Sequence, residues 1–290
     1  MNKSIFGHLS AVLAIVVWAL SSHSYSILRG YLSPLEIILA GMLLSCAVLN
    51  LIYLPRLHLK RTTQELSFIL AGLFGVALWF YLESRARAIV SSEHFAVVFA
   101  LVPLCCVLAG KISGKRPYVS GSFWGGVGFG AAGIALLVFF GGGFSLSLIG
   151  LAFCIGAALT LGAFFVSYKA VLHTGHIIAV CRRVLLWGFV FLVPLCFFFD
   201  FDIESYRAVL SPTPLLHLLI IGVAVPSVCY LALGYAIKTL DPTRASGYIY
   251  AAPIASIVYS AVVNSHSVSS YVLVSVILII IGITLTVKRK

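Results

Sequence analysis

The chain has 290 residues, of which 61% are hydrophobic and only 9% charged, with a formal net charge of +11 and a mean hydropathy of +1.12. Soluble domains carry about a quarter charged residues, so this composition excludes a water-soluble globule, and equally a disordered, collagen-like or disulfide-scaffold chain. The basic surplus does not point to nucleic acid either, because the Lys and Arg residues fall between apolar runs instead of forming one water-exposed stripe.

Taken in chain order, the apolar runs predict ten membrane-spanning helices, at 7–28, 34–54, 66–84, 93–112, 119–140, 147–168, 178–199, 214–237, 245–263 and 268–287. At about 20 residues per span, they leave only short loops and no sizeable soluble domain. A span without water must satisfy its own backbone groups, and the alternating pattern of a membrane β-barrel is absent, so the spans are helical. The first has Lys3 ahead of an apolar core, as a secretory signal does, yet it runs past signal length without a clean cleavage site. It is expected to remain as an uncleaved helix.

Charge orients the bundle. With ten spans both termini share one side, and that side would hold Lys3, Arg56, Lys60, Arg61, Lys111, Lys115, Arg116, Lys169, Lys238, Arg244 and Lys288 to Lys290, with Arg182 and Arg183 nearby. The other side holds Arg29, Arg85, Arg87 and Arg207, so fifteen basic residues stand against four. The positive-inside rule then puts both termini in the cytoplasm, in a multi-pass protein of the cytoplasmic (inner) membrane, with the Asp200–Glu204 loop outside. The seven cysteines are odd in number and scattered among apolar residues. They are read as small buried hydrophobes, not redox or metal groups.

The chain repeats itself. Sliding GHLSAVLAIVVWALSSHSYSIL onto GLAFCIGAALTLGAFFVSYKAVL places Gly7 on Gly150, Ala14 on Ala157, and Ser24-Tyr25 on Ser167-Tyr168. Later in each half Pro103 falls on Pro253 and Ala86 on Ala236, with Tyr81 and Tyr230 close to correspondence. The halves divide at 1–143 and 144–290. Five spans per half is an odd number, so the second half enters the bilayer inverted, the arrangement of secondary transporters with a midplane site between two rocking halves. The expected fold is an all-α membrane protein of ten helices in two five-helix inverted-topology repeats.

The stretch YAIKTLDPTRASGYIYAAPIASIVYSAVV, Tyr235 to Val263, resembles the second-half signature of EamA-type transporters in the drug/metabolite transporter superfamily. Ala86 to Gly110 around Pro103 is its weaker first-half counterpart, and Gly7 to Trp18, SPLEI at Ser33 to Ile37 and the closing run to Gly282 also fit. The chain departs from the family where a Gly-Glu pair is usual after the fourth helix of a repeat, having Ser113-Gly114 and Ser265-His266, and where the second helix often carries Arg it has Gly41. The resemblance implies ten helices and the movement of small metabolites, often the export of amino acids or toxic compounds.

Ionisable residues at span depth nominate a pathway. Trp79, Glu83 and Arg87 share one face of the third span. Tyr81 and Arg85 lie on an adjacent stripe, and two readings are open: Glu83 and either Arg85 or Arg87 engage opposite charges of a zwitterionic solute beside the Trp79 wall, or the helix carries an intrahelical salt bridge plus positive residues at the outer water boundary. His94 opens the fourth span with Phe95 and Phe99 below it. It is either a proton-coupling group or a boundary histidine that caps nearby backbone. Trp18, Ser22 and Tyr25 share a face of the first span, as cavity lining or as glue between helices. Tyr248 on the ninth span, Tyr230 on the eighth, and Phe164 and Tyr168 on the sixth complete the candidate wall through the repeat.

Other patterns carry no chemistry of their own. Gly128-x-Gly130-x-x-Gly133 lies mid-span with no strand before it, so with Gly126-x-x-x-Gly130 it reads as a face for close helix packing, not a dinucleotide fingerprint. His173-x-x-His176 has no third ligand, so no metal is expected. No phosphate loop or cofactor motif occurs, which leaves a proton or a counter-transported solute to drive the cycle. The sequence therefore predicts a non-enzymatic secondary transporter of small polar or amphipathic metabolites, an exporter of amino acids or related compounds, working in a lipid bilayer as a monomer or homodimer. A nucleoside- or cofactor-type solute suits the Tyr and Trp residues as well. A lipid-translocation partner, or an intramembrane enzyme for which no HExxH, GxSxG or paired aspartate is present, is the alternative from another class.

Overall fold

The computed structural model describes residues 3–53, 62–90, 95, 98–115, 117, 119–141, 147–197, 202, 204–263 and 269–288. Eight helices among them are long and apolar enough to cross a membrane: α1 (Lys3–Leu28), α2 (Pro34–Ile52), α3 (Gln64–Ala86), α5 (Gly121–Phe140), α6 (Leu148–Val171), α7 (Ile177–Leu195), α8 (Pro212–Leu240) and α10 (Ser270–Val287). The predicted fourth and ninth spans differ. Their described helices are α4 (Val102–Ile112) and α9 (Ala251–Val263), too short to cross alone. Pro103 and Pro253 sit in the first turns, where a missing N–H is harmless, and cannot continue the helix back toward the preceding residues. A 3₁₀ turn, Gly247–Tyr250, leads into α9.

Packing follows the inverted repeat. α1 lies against α8 and α9 while its counterpart α6 lies against α3 and α4; α2 packs on α7 and α8, and α7 on α2 and α3. The remaining pair, α5 and α10, packs on itself. Every helix of one half thus leans on the other half, which ties the two repeats into one core.

The α5–α10 contact shows how the sequence dictates approach. A Cβ at Gly126 would run into Thr286, one at Gly133 into Ile279 and the Ser275 carbonyl, and Gly130 faces Gly282 backbone to backbone. Gly128, on the other side of α5, meets nothing within 4 Å. The glycine stripe is therefore a packing face, made by Gly126, Gly130 and Gly133, and van der Waals contact between close backbones supplies the cohesion that lipid cannot.

Both termini lie at one end of the bundle, because Gly7 packs on Thr239 and Leu240 and Arg244 Nε donates to the Val287 carbonyl, 2.8 Å. The same end is laced by polar contacts. His8 Nδ1 and Tyr248 Oη are 2.6 Å apart, Lys169 Nζ lies 3.1 Å from Asp241 Oδ1, and Lys115 Nζ donates to the Val166 carbonyl, 3.3 Å. Burial, and then the neighbouring Lys169 charge, hold the Lys115 ammonium below the usual lysine range. Arg183 forms a two-pronged pair with Glu65, whose Oε1 also accepts from Trp187 Nε1, 2.7 Å, so an arginine counted as a topology signal joins α7 to α3. His176 stacks on Tyr53, centroids 5.1 Å apart. The six cysteines whose side chains are described are all buried and unbridged.

Two helices depart from α geometry in corresponding places. α3 contains a π segment at Leu73–Ala77, and α8 one at Ile220–Cys229. In α8 the cause is visible: Pro226 has no N–H to give the ladder. Beside it the Pro226 carbonyl faces Cys181 Sγ at 3.7 Å and Ser227 Oγ faces Ser45 Oγ at 2.6 Å. In α3, Gly75 lets the Phe164 ring press on the backbone, and the Tyr230 hydroxyl donates to the Gly75 carbonyl.

Candidate functional site

A cavity of about 380 Å³ opens among α1, α2, α3 and α8, lined by Trp18, Ser21, Tyr25, Ser26, Arg29, Ile37, Ile38, Gly41, Met42, Phe80, Glu83, Ser84, Ile221, Val225 and Pro226. Its rim is at the end opposite the termini, where Arg29 is exposed. Toward the termini it stops at packed side chains. Ala11, Ala14 and Ile15 below Trp18, and Ser45 and Leu49 below Met42, are at most 2% exposed.

Both π segments serve this cavity. Ile221, Val225 and Pro226 belong to the one in α8, and Phe80, Glu83 and Ser84 follow the one in α3. A π segment adds a residue to the turn and so resets which face the following residues present, and such segments are concentrated at functional sites. Gly41 and Gly222 approach each other across the α2–α8 contact. The position where family members often carry Arg is thus a bare stretch of cavity wall, and the wall's cation comes instead from Arg29 at the end of α1.

The polar groups divide by role. Ser21 Oγ donates to the Trp18 carbonyl, 2.6 Å, and Ser84 Oγ to the Tyr81 carbonyl, 3.0 Å. Each hydroxyl proton is committed to its own helix, so these two oxygens offer lone pairs. With the Glu83 carboxylate, 8% exposed, they make an accepting wall suited to an ammonium or another N–H donor. Arg29 is the donor at the rim. Trp18, Phe80, Met42 and the isoleucines between them supply apolar surface.

The structure brings three of the sequence-nominated residues, Trp18, Tyr25 and Glu83, to this wall. Trp79 and Phe99 stand one layer behind. Trp79 is edge-on to Trp18 with centroids 5.5 Å apart, Phe99 lies 5.5 Å from Trp18 and 5.1 Å from Trp79, and Phe95 stacks on Phe99 at 5.2 Å. This aromatic block holds the Trp18 ring in place. Phe164, Tyr168 and Tyr230 form a different buried cluster, with Phe164 stacked on Tyr168 at 5.0 Å and Tyr168 Oη donating to the Tyr230 carbonyl, 3.1 Å. Tyr248 is at the terminal end, on His8. The side chains of Ser22 and Arg87, and all of His94, lie outside the described residues.

A second cavity, of about 230 Å³, adjoins the first and shares Arg29, Ile38 and Ser84 with it. At this same end Glu36 is 3% exposed and fully used. It closes a capping box with Ser33 at the start of α2, and its Oε1 accepts from the Asp202 N–H, 2.8 Å, while Tyr206 Oη donates to its carbonyl, 2.8 Å. The SPLEI stretch thereby anchors the segment between α7 and α8.

Comparison with known proteins fits this architecture. No curated protein matches the chain. A protein known from its crystal structure has the same fold, with a TM-score of 0.80 over 98% of this chain and 99% of that one, at 19% identity. The pattern of the EamA-like transporter family matches twice, at residues 5–139 and 148–288, one match per repeat. The chain is a multi-pass membrane protein and belongs to the EamA-like transporter family of the drug/metabolite transporter superfamily.

Proposed function

We propose that the chain is a secondary transporter that exports small amphipathic zwitterions, amino acids and close relatives, across the cytoplasmic membrane by alternating access. The observation that carries this reading is that Glu83 with two accepting serines, and Arg29, stand on one wall system of a cavity that is otherwise apolar and aromatic. An ammonium suits the first set and a carboxylate the second, since charge-assisted hydrogen bonds in a poorly hydrated site are the strong ones. The apolar remainder fits the side chain of the solute.

The fifteen-to-four distribution of basic residues supports cytoplasmic termini, which makes the cavity rim external and this conformation outward-facing. The repeat supports the complementary state. Tyr25 on the cavity wall corresponds to Tyr168 in the buried cluster, so Phe164, Tyr168 and Tyr230 become the wall when the other end opens, with Tyr248 and His8 parting. A proton or a counter-moving solute drives the cycle, and His94 is the candidate proton carrier.

The test is transport by reconstituted vesicles of L-phenylalanine and its two truncated analogues, phenethylamine and 3-phenylpropionate. The zwitterion is the preferred substrate. Glu83→Gln, which keeps volume, should weaken the affinity for L-phenylalanine about ten- to a hundredfold, the equivalent of one hydrogen bond to a charged group. Unchanged affinity in a folded Glu83→Gln protein overturns the assignment, and preferential transport of a nucleoside in the same assay would replace the amino acid as the solute.

A further inference from the structure

The smaller cavity has a charge pattern of its own. It is lined by Arg29 and Arg85 together with Ser33, Tyr81, Ser84 and a mostly aliphatic wall ending at Leu192 and Leu195, and among the described residues none that lines it is acidic. The acids described in α2 and at 202 and 204 have other duties. Glu36 is held by the Ser33 and Asp202 N–H groups, Asp202 accepts from the Glu204 N–H and Ser205 Oγ, and Glu204 faces Arg207 at 3.9 Å. Arg85 is carried at the rim by the Phe153 ring, 5.9 Å from the guanidinium carbon to the ring centroid. Among the described residues no carboxylate pairs with either Arg29 or Arg85.

Two guanidiniums in a space of about 230 Å³ repel each other unless an anion lies between them, and the guanidinium fork matches a carboxylate in geometry. The aliphatic wall favours a solute with a short apolar tail over a bare inorganic ion. We propose that the smaller cavity is a second binding site, an anion subsite in which Arg85 and Arg29 hold the carboxylate of an amphipathic solute next to the larger cavity. Arg29, which lines both spaces, is the point of exchange between them. A carboxylate released from the larger cavity stays on Arg29 while the tail moves past Ile38 and Ser84, and Arg85 completes its coordination on the way out.

This site stands apart from the zwitterion reading of the larger cavity, because Arg85 lines only the smaller space and Glu83 only the larger. The two can be tested in one experiment on the full chain purified in detergent, measuring binding of 3-phenylpropionate and of phenethylamine by calorimetry. Arg85→Gln should weaken 3-phenylpropionate at least tenfold and leave phenethylamine unchanged. Glu83→Gln should do the reverse, and Arg85→Lys, which keeps the charge without the fork, should fall between wild type and Arg85→Gln for 3-phenylpropionate. In the wild-type protein the two probes should bind together without competing. Equal 3-phenylpropionate affinity in wild type and a folded Arg85→Gln protein, no binding of 3-phenylpropionate at all, or mutual exclusion of the two probes would each overturn the subsite. If phenethylamine fails to bind while 3-phenylpropionate still depends on Arg85, the reading of the larger cavity fails and the subsite stands.

Discussion

Ser45 of α2 and Ser227 of α8 meet hydroxyl to hydroxyl, their oxygens 2.6 Å apart and both side chains buried. Each stands just beyond cavity-lining residues, Met42 on one helix and Pro226 on the other. This contact clamps the two walls where the cavity ends.

The clamp sets a first expectation. Ser45→Ala or Ser227→Ala should lower stability in detergent by about 0.6–1.7 kcal/mol, the range for hydrogen bonds between membrane helices. The double variant should cost less than the two single losses added, because each single change also strands a buried hydroxyl. Additive losses in an unfolding titration would argue that the hydroxyls act separately.

Gly126→Leu and Gly128→Leu should differ sharply. The first drives a side chain into Thr286 and the α10 backbone, and overpacking of this kind costs about 1–3 kcal/mol or more; the second adds apolar surface where no neighbour lies within 4 Å. Melting temperatures of the purified variants check this. Equal tolerance of both changes would contradict the α5–α10 contact.

The membrane orientation can be read with single cysteines placed at Ser113 and Ser205 on a background without accessible thiols. Ser113, an exposed residue beside Lys111 and Lys115, should react with a membrane-impermeant reagent only after the membrane is opened. Ser205, at the start of the short helix Ser205–Val209 with its hydroxyl bonded to Asp202, should react in intact cells. The opposite pattern would reverse the orientation and make the open cavity cytoplasmic.

Glu36 offers a fourth expectation. Glu36→Gln keeps one acceptor oxygen but loses the charge that receives the Ser33 and Asp202 N–H groups together, so amide exchange in residues 202–209 should speed up several-fold while the core of α2 stays protected. Unaltered exchange across 202–209 would mean that Tyr206 alone holds the segment.

The spans were legible in the sequence because lipid imposes one signal on every helix, a long apolar run. α4 and α9 broke that rule because Pro103 and Pro253 stand in their first turns, where the longer apolar run is interrupted. Trp18, Tyr25 and Glu83 were legible at the cavity because large aromatics and an acid at span depth are rare enough to stand out. Arg29 was visible only as one of four basic residues on the sparse side, since a boundary arginine looks the same whether or not it lines a cavity. Phe80, three residues before Glu83 on the same stretch of α-helix, was as compatible with its face as Trp79 at four, and only the structure separates the two: Phe80 lines the cavity while Trp79 packs behind Trp18. Extending the wall through the repeat led to Tyr168, which is fully buried while its mate Tyr25 lines the cavity. Sequence symmetry relates positions, but a conformation open at one end treats them unequally.

The position of the dry core beneath Trp18 and Met42 also decides where the membrane voltage falls. Water in a cavity carries the potential of the compartment it opens to, so the voltage drops across the packed half of the bundle, between the cavity floor and the terminal end. One elementary charge crossing 100 mV corresponds to about 2.3 kcal/mol. On the proposed reading, a charged solute that reaches Glu83 and Arg29 from the open side does almost no electrical work. On that reading the work belongs to the conformational step that moves the sealed half from one end of the bundle to the other, and membrane voltage is expected to act on turnover and leave binding affinity nearly untouched.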